Sequence, residues 1–281
     1  MKSINYHSDI EYEIKPAGKL DLNFKELWQY KELFYFFTWR DIKVKYKQAY
    51  LGVLWIILQP LFMMLVFSFF FGKVLNVPSD GIPYPVFVYS GMMLWNIFSS
   101  GLSGSGESLV TNANIIKKIY FPRLIIPISV ILVSVFDFII TFLLFFCLLM
   151  FLQVKINFLR FIELFPLAFF ITVITTLGLG ILLSALNVKY RDFKYIIPFL
   201  IQSTLFITPV IYPISVLPFP WIKYILALNP LTGAITLSRA SITGGVIDWN
   251  VILISVMMSL LFFVLGLLVF KRTEAYFADL A

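Results

Sequence analysis

Apolar and polar positions divide the chain near residue 51. Up to Tyr50 charged and polar residues recur every few positions; from Leu51 to Phe71 the run LGVLWIILQPLFMMLVFSFFF contains no Asp, Glu, Lys or Arg. At a helical rise of about 1.5 Å per residue, this run is long enough for a bilayer core of roughly 30 Å. It is the first predicted membrane span. Later apolar runs predict five more: Tyr84 to about Leu102, Leu124 to Leu152, Leu164 to Leu186, about Tyr195 to Val216, and Val251 to Phe270. The second contains Gly91, Asn96, Ser99 and Ser100, so it should pack against other helices or face a cavity. The third holds Asp137 alone near its middle, where a carboxylate must face protein or water, or be protonated. Gly178 and Gly180 in the fourth permit close helix approach, and Pro198, Pro209 and Pro213 predict a fifth span that kinks or stops short.

Three segments break this rhythm. From Phe24 onward, Leu27, Tyr30, Phe34 and Phe37 fall at intervals of three and four beside Lys25, Glu26, Lys31 and Glu32, which predicts an amphipathic helix lying in the membrane interface. The stretch from Gly104 to Arg123 carries candidate caps at Ser108, Asn112 and Asn114 and predicts a short helix on the inner side. The stretch from Pro218 to Asn250 is apolar but broken by Pro230, Gly233, Arg239, Gly244 and Gly245, which favours re-entrant or interfacial helices. The expected organisation is a polar tail over 1–23, an interfacial helix and basic loop over 24–50, an all-α transmembrane domain over 51–272, and a tail over 273–281.

Charge orients this arrangement. The cluster Arg40, Lys43, Lys45 and Lys47 precedes the first span, and six spans with both termini in the cytoplasm place 17 of the 22 Lys and Arg residues inside. A hydrophobic content of 60 % with 13 % charged residues makes this a polytopic membrane protein, and the net charge of +7 is read as topology and contact with membrane lipid rather than nucleic-acid binding. No apolar run falls in the first 26 residues, so the first span is expected to act as an uncleaved anchor.

Chemistry is sparse. One cysteine, Cys147, and one histidine, His7, can build neither a disulfide nor a His/Cys metal site. There is no phosphate-loop, zinc-protease or nucleophile-elbow motif and no close carboxylate pair within a span. The chain is therefore expected to have no catalytic residue, metal or cofactor of its own. Lone Asp137 without a proton relay argues against ion-driven transport, so energy should come from a partner.

The segments RDIKVKYKQAYLGVLWIILQP, NANIIKKIYFPR, LNVKYRDFKYIIPFLIQ, TPVIYP and LNPLTGAITLSRA, in this order and spacing, resemble the membrane subunits of type-2 bacterial ABC exporters, in particular those that move lipid-linked O-antigen, capsule and teichoic acid. The resemblance covers residues 25 to 272. It implies a homodimeric permease in the bacterial cytoplasmic (inner) membrane, bound to two separate ABC ATPase subunits that carry ATP and Mg, with an undecaprenyl-type lipid-linked glycan as substrate. It also implies that the helix before the first span is a cytoplasmic gate. Arg40, Lys43, Lys45 and Tyr46 match the gate motif that contacts the lipid pyrophosphate, and Leu51 and Gly52 match the turn into the span. The region of about 105–120, with Glu107, Asn112, Asn114, Lys117 and Lys118, corresponds to the coupling helix that docks on the ATPase, and about 213–250 to outer re-entrant helices. Aromatic side chains suit a sugar path, since an apolar ring face packs on an aromatic face. Trp55, Trp95, Phe98 and Tyr212, with Asp137, are the channel-lining candidates. The alternatives are a drug or lipid exporter of the same superfamily and a membrane-embedded glycolipid transferase, for which neither His7 nor Asp137 offers a paired acid, base or metal.

Overall fold

The computed structural model describes residues 24–47 and 52–274 and is helical throughout, with no strand among the described residues. In chain order the helices are α1 (Phe24–Gln29), α2 (Lys31–Lys47), α3 (Leu54–Phe67), which continues as a π-helical turn over Ser68–Val74, α4 (Tyr84–Thr111), α5 (Ala113–Ile116), α6 (Ile125–Phe151), α7 (Phe158–Lys189), α8 (Phe193–Ile207), α9 (Ile222–Leu226), α10 (Pro230–Thr243) and α11 (Trp249–Thr273). Among the described residues, four stretches are long and apolar enough to cross a membrane: Leu54–Val74, Ile125–Phe151, Phe158–Lys189 and Trp249–Thr273. Two of the six predicted spans fall outside this group for different reasons. The 28-residue α4 has the length, but Asn96 and a run of serines and glycines dilute its apolar content. The 15-residue α8 is too short, because the chain leaves helical geometry at Thr208, immediately before Pro209, whose ring cannot continue the helix.

The core is built around the first half of α4. Val86 through Leu94 are almost all buried with Phe145, Phe165, Val210 and Leu231 in one cluster. α4 and α6 run antiparallel: the Tyr89 hydroxyl donates to the Thr141 carbonyl at 3.1 Å and its ring stacks on Phe145, while Gly101, further down α4, approaches Ile131 and Ser134. Helices α7 and α11 meet at Gly178, where a methyl group would lie 2.5 Å from the Phe263 backbone nitrogen. The glycine expected to allow close approach does so backbone to backbone, against Gly266 and its neighbours.

The broken segment after α8 folds inward. Asn229 caps α10 by accepting from the Leu231 N–H at 3.2 Å, with Pro230 in the first turn, and nearly every residue of α10 is buried. This helix packs against α4, α7 and α11. The inner segment differs from its expected form. Residues 104–111 complete α4 instead of starting a separate helix, Ser108 bonds back to the Ser105 carbonyl within α4, and Asn112 ends α4 with its side-chain amide on the Ser108 carbonyl at 2.8 Å. Only the single turn of α5, which contains Asn114, follows. The helical periodicity of the second span simply persists through the glycines, because Gly101, Gly104 and Gly106 are packed against Thr176, Val130 and Ile197.

Candidate functional site

The site starts from the stripe on α1 and α2. Leu27, Tyr30, Phe34 and Phe37 all pack on a second core cluster formed by Leu109, Phe121, Ile125, Ile181 and Phe270. The apolar face predicted to meet lipid is thus taken by the protein itself, since burial against a fixed core serves the same hydrophobic gain. Trp28, Tyr35, Phe36 and Trp39 remain exposed on the helix. α2 follows α6 in a parallel sense. The Thr38 hydroxyl donates to the Ser129 carbonyl at 3.4 Å, and seven and eight residues on, Lys45 and Tyr46 both reach Asp137. These contacts set the second half of α2 alongside α6 in the same chain direction.

Asp137 is therefore not alone. Lys45 Nζ lies 2.5 Å from Asp137 Oδ2, and the Tyr46 hydroxyl donates to Oδ1, so each carboxylate oxygen receives one donor. The carboxylate is the more enclosed partner, at 16 % side-chain exposure against 46 % for Lys45. Placing an ionised Asp in a spanning helix costs about 2.5–3.5 kcal/mol on insertion scales, and two charge-assisted hydrogen bonds offset much of it. Burial, and then the bond to Asp137, push the Tyr46 phenol above its ordinary value, so Tyr46 stays a donor throughout the physiological pH range.

These three side chains form one edge of a cavity of about 760 Å³ bounded by α2, α3, α4, α6 and α8. Asn96, Ser99, Ser100 and Ser103 project into it from α4 at the spacing of one helical face, Ser134 and Thr141 flank Asp137 on α6, and Gln59 and Gln202 enter from α3 and α8. Trp55 and Gly52 complete the side nearest the start of α3. Gly52 has φ +47°, a left-handed conformation that costs a side-chain-bearing residue about 1 kcal/mol or more, which is the physical reason for glycine at the turn into the span.

The other candidates lie elsewhere. Arg40 is paired with its neighbour Asp41 at 2.8 Å and packs over Phe37, and Lys43 rests on Trp39 with 5.3 Å from its nitrogen to the ring centre; neither borders the cavity. Leu51 lies outside the described residues. Trp95 and Phe98 pack against each other in the core at 4 % exposure each and do not line the cavity: Phe98 lies on the α4 face opposite the serines and Trp95 on the flank between. Tyr212 bonds to the Ile207 carbonyl at 2.8 Å beside the end of α8. Glu107 near the end of α4, Asn114 on α5, and Lys117 and Lys118 just beyond α5 are exposed, next to exposed Ile119 and Tyr120. The polar residues that sequence reasoning passed over, Gln59, Ser103, Ser134 and Gln202, had one available signal: a polar side chain inside a run that is otherwise apolar.

A second charged constellation sits at the opposite end of the helices. Arg239, placed among the outer basic residues by charge counting, is 7 % exposed and donates to the carbonyls of Pro209 and Val210 at 2.6 Å each while its guanidinium stacks 3.4 Å over Phe87. Lys223 pairs with Asp248 at 2.6 Å, and that hydrogen bond holds the Asp248 carboxyl below the usual carboxylate range. Among the described residues, no group of three or more His, Cys, Asp or Glu side chains comes together to hold a metal.

The residues that line the cavity fall within residues 32–243, the region that matches the family model described as ABC-2 type transporter. The chain belongs to the ABC-2 type transporter family. Among its relatives in that family are the O-antigen export system permease protein RfbA of Klebsiella pneumoniae, 31 % identical over 245 residues that cover 86 % of this chain and 92 % of that protein, and RfbA of Myxococcus xanthus, 31 % identical over 223 residues covering 77 % and 82 %. The polysialic acid transport protein KpsM of Escherichia coli is 25 % identical over 240 residues, covering 84 % and 91 %. As an ABC-2 transporter chain it is a multi-pass membrane protein and a transport subunit.

Proposed function

We propose that this chain is the permease of an ABC exporter that passes a lipid-linked polysaccharide across the bacterial cytoplasmic membrane. The observation that carries the reading is the cavity: a polar face of α4 inside the helix bundle, with an aromatic wall at Trp55 and a cation and a phenol at the edge next to α2. Hydroxyls and amides suit sugar hydroxyls, while Lys45 and Tyr46 suit the phosphate oxygens of a polyprenyl diphosphate head group. The names of the relatives, an O-antigen export permease and a polysialic acid transport protein, point the same way.

In this reading two copies of the chain form the channel, and two ABC ATPase subunits dock on the inner tips of α4 and α5 and supply ATP and Mg. α4 and α8 serve as the remaining two spans, the segment from Pro213 to Asn250 re-enters from the outer side, and both ends of the chain are cytoplasmic. The test is ATP hydrolysis by the assembled transporter in proteoliposomes with and without lipid-linked glycan. Lys45→Ala is expected to lower the apparent affinity for the glycan lipid by about tenfold, the worth of one charge-assisted hydrogen bond. Lys31→Ala, which removes an equal charge from the same helix away from the cavity, is expected to leave it unchanged. Stimulation by a drug or plain lipid but not by glycan lipid would move the assignment to the drug or lipid exporter.

A further inference from the structure

The Lys45–Asp137–Tyr46 contact joins two helices that the substrate must separate if it is to enter beside α2. Beside this contact, a long hydrogen bond of 3.4 Å from Thr38 to the Ser129 carbonyl ties α2 to α6. Both donors point at one anion, one to each oxygen, and this is the arrangement that two non-bridging oxygens of a phosphate would also satisfy. Lys45 is nearly half exposed on the cavity side while Asp137 is mostly enclosed, so an incoming anion meets the cation first. Asp137 is the one carboxylate among the residues lining the cavity.

We propose that Asp137 is a built-in competitor for the phosphate site: with no substrate its carboxylate holds Lys45 and Tyr46 and latches α2 to α6, and the diphosphate head group takes over both donors and releases the helix. This rests on the proposed glycan-lipid reading and adds a selectivity device to it. The exchange is favoured because a diphosphate carries more negative charge than one carboxylate and can accept more charge-assisted bonds. The displaced carboxylate is not stranded in hydrocarbon, because Ser134 and Thr141 stand one turn away on either side of it and line the same cavity. A neutral lipid has nothing to offer Lys45, so it leaves the latch closed. Asp137 in this role sets a threshold: only a ligand that out-competes a carboxylate opens the helix pair.

The experiment uses the full chain with its ATPase in nanodiscs. Cysteines at Thr38→Cys and Ser129→Cys, on a Cys147→Ser background, report the α2–α6 contact as disulfide yield. Undecaprenyl diphosphate should lower the yield at least threefold, undecaprenol should not, and inorganic pyrophosphate separates recognition of the anion alone from recognition of the lipid. Asp137→Asn should lower the yield without any ligand and should raise the apparent affinity for undecaprenyl diphosphate by about tenfold. The exchanged pair Lys45→Asp with Asp137→Lys should restore the cross-link and no longer respond to diphosphate, which guards against a single variant that merely misfolds. A cross-link indifferent to Asp137→Asn, or unrestored by the exchanged pair, overturns the latch. A latch that loosens in Asp137→Asn but ignores every diphosphate overturns the exchange and, with it, the glycan-lipid reading at Lys45.

Discussion

Arg239 illustrates how one side chain can fix a local backbone that has no regular hydrogen bonds of its own. The turn after α8 leaves carbonyls at Pro209 and Val210 that no helix satisfies, and the guanidinium supplies donors to both. Arg239→Leu leaves those carbonyls buried and unpaired, at about 1–3 kcal/mol each, and should lower the thermal unfolding midpoint of the purified protein by several degrees. Arg239→Lys offers a point charge in place of the planar fork and should recover only part of the loss. The Lys223–Asp248 pair is expected to respond to pH. The Asp248 carboxyl is depressed in the folded protein, so its contribution is complete above the ordinary carboxylate value near 4 and fades as pH falls through the lower folded value. Lys223 is raised by the same bond, so its share is present below its ordinary value and lost as pH rises through the raised one. Asp248→Asn should therefore flatten the acid limb of a stability–pH curve and leave the neutral region parallel to wild type. Residue by residue, the chemistry that lines the cavity was legible unevenly in the sequence. Lys45 and Asp137 were identifiable by residue type and place and Tyr46 only through the family resemblance, and their meeting required α2 and α6 to be in register. Trp95 and Phe98 were equally plausible by type, and only the rotation of α4 turns them into the core.

At the scale of elements, close packing sets the geometry. Gly178→Ala places a methyl where the Phe263 nitrogen lies 2.5 Å away, with rigid backbone on both sides, so α7 and α11 must separate. The expected outcome is loss of most folded, monodisperse protein in detergent, measured by size-exclusion chromatography, while Gly81→Ala, whose site is open, is felt mainly through its left-handed φ of +87° and should cost about 1 kcal/mol. The predicted helix of α1 and α2 had the right stripe, because the three- and four-residue spacing survives in Leu27, Tyr30, Phe34 and Phe37 whatever covers it. Which surface covers it is not written in that spacing. The same limit explains α4: a periodic polar face reads as a break in an apolar run until the cavity beside it supplies the reason for the serines.

For the whole molecule, the long α4 changes how the contact with an ATPase must be tested. Deleting Glu107 to Lys118 would cut into α4 and remove Leu109, which belongs to the second core cluster, so a failed complex would not be interpretable. Exposed Ile119 and Tyr120 beside Lys117 and Lys118 offer a cleaner probe. The variant Ile119→Asp with Tyr120→Asp should keep wild-type expression and lose co-purification of the ATPase. Helix α4 is also a single piece of about 42 Å at the standard rise per residue. Its C-terminal tip lies in the region proposed to meet the ATPase, and its N-terminal end holds Phe87 beneath Arg239. The four glycines along the way, Gly91, Gly101, Gly104 and Gly106, are wedged against neighbouring segments and provide no slack. Such an element behaves as a push-rod: a displacement applied to its Glu107 end would reach Phe87 and Arg239 in the same movement, so the two ends would be geared together without any separate signal.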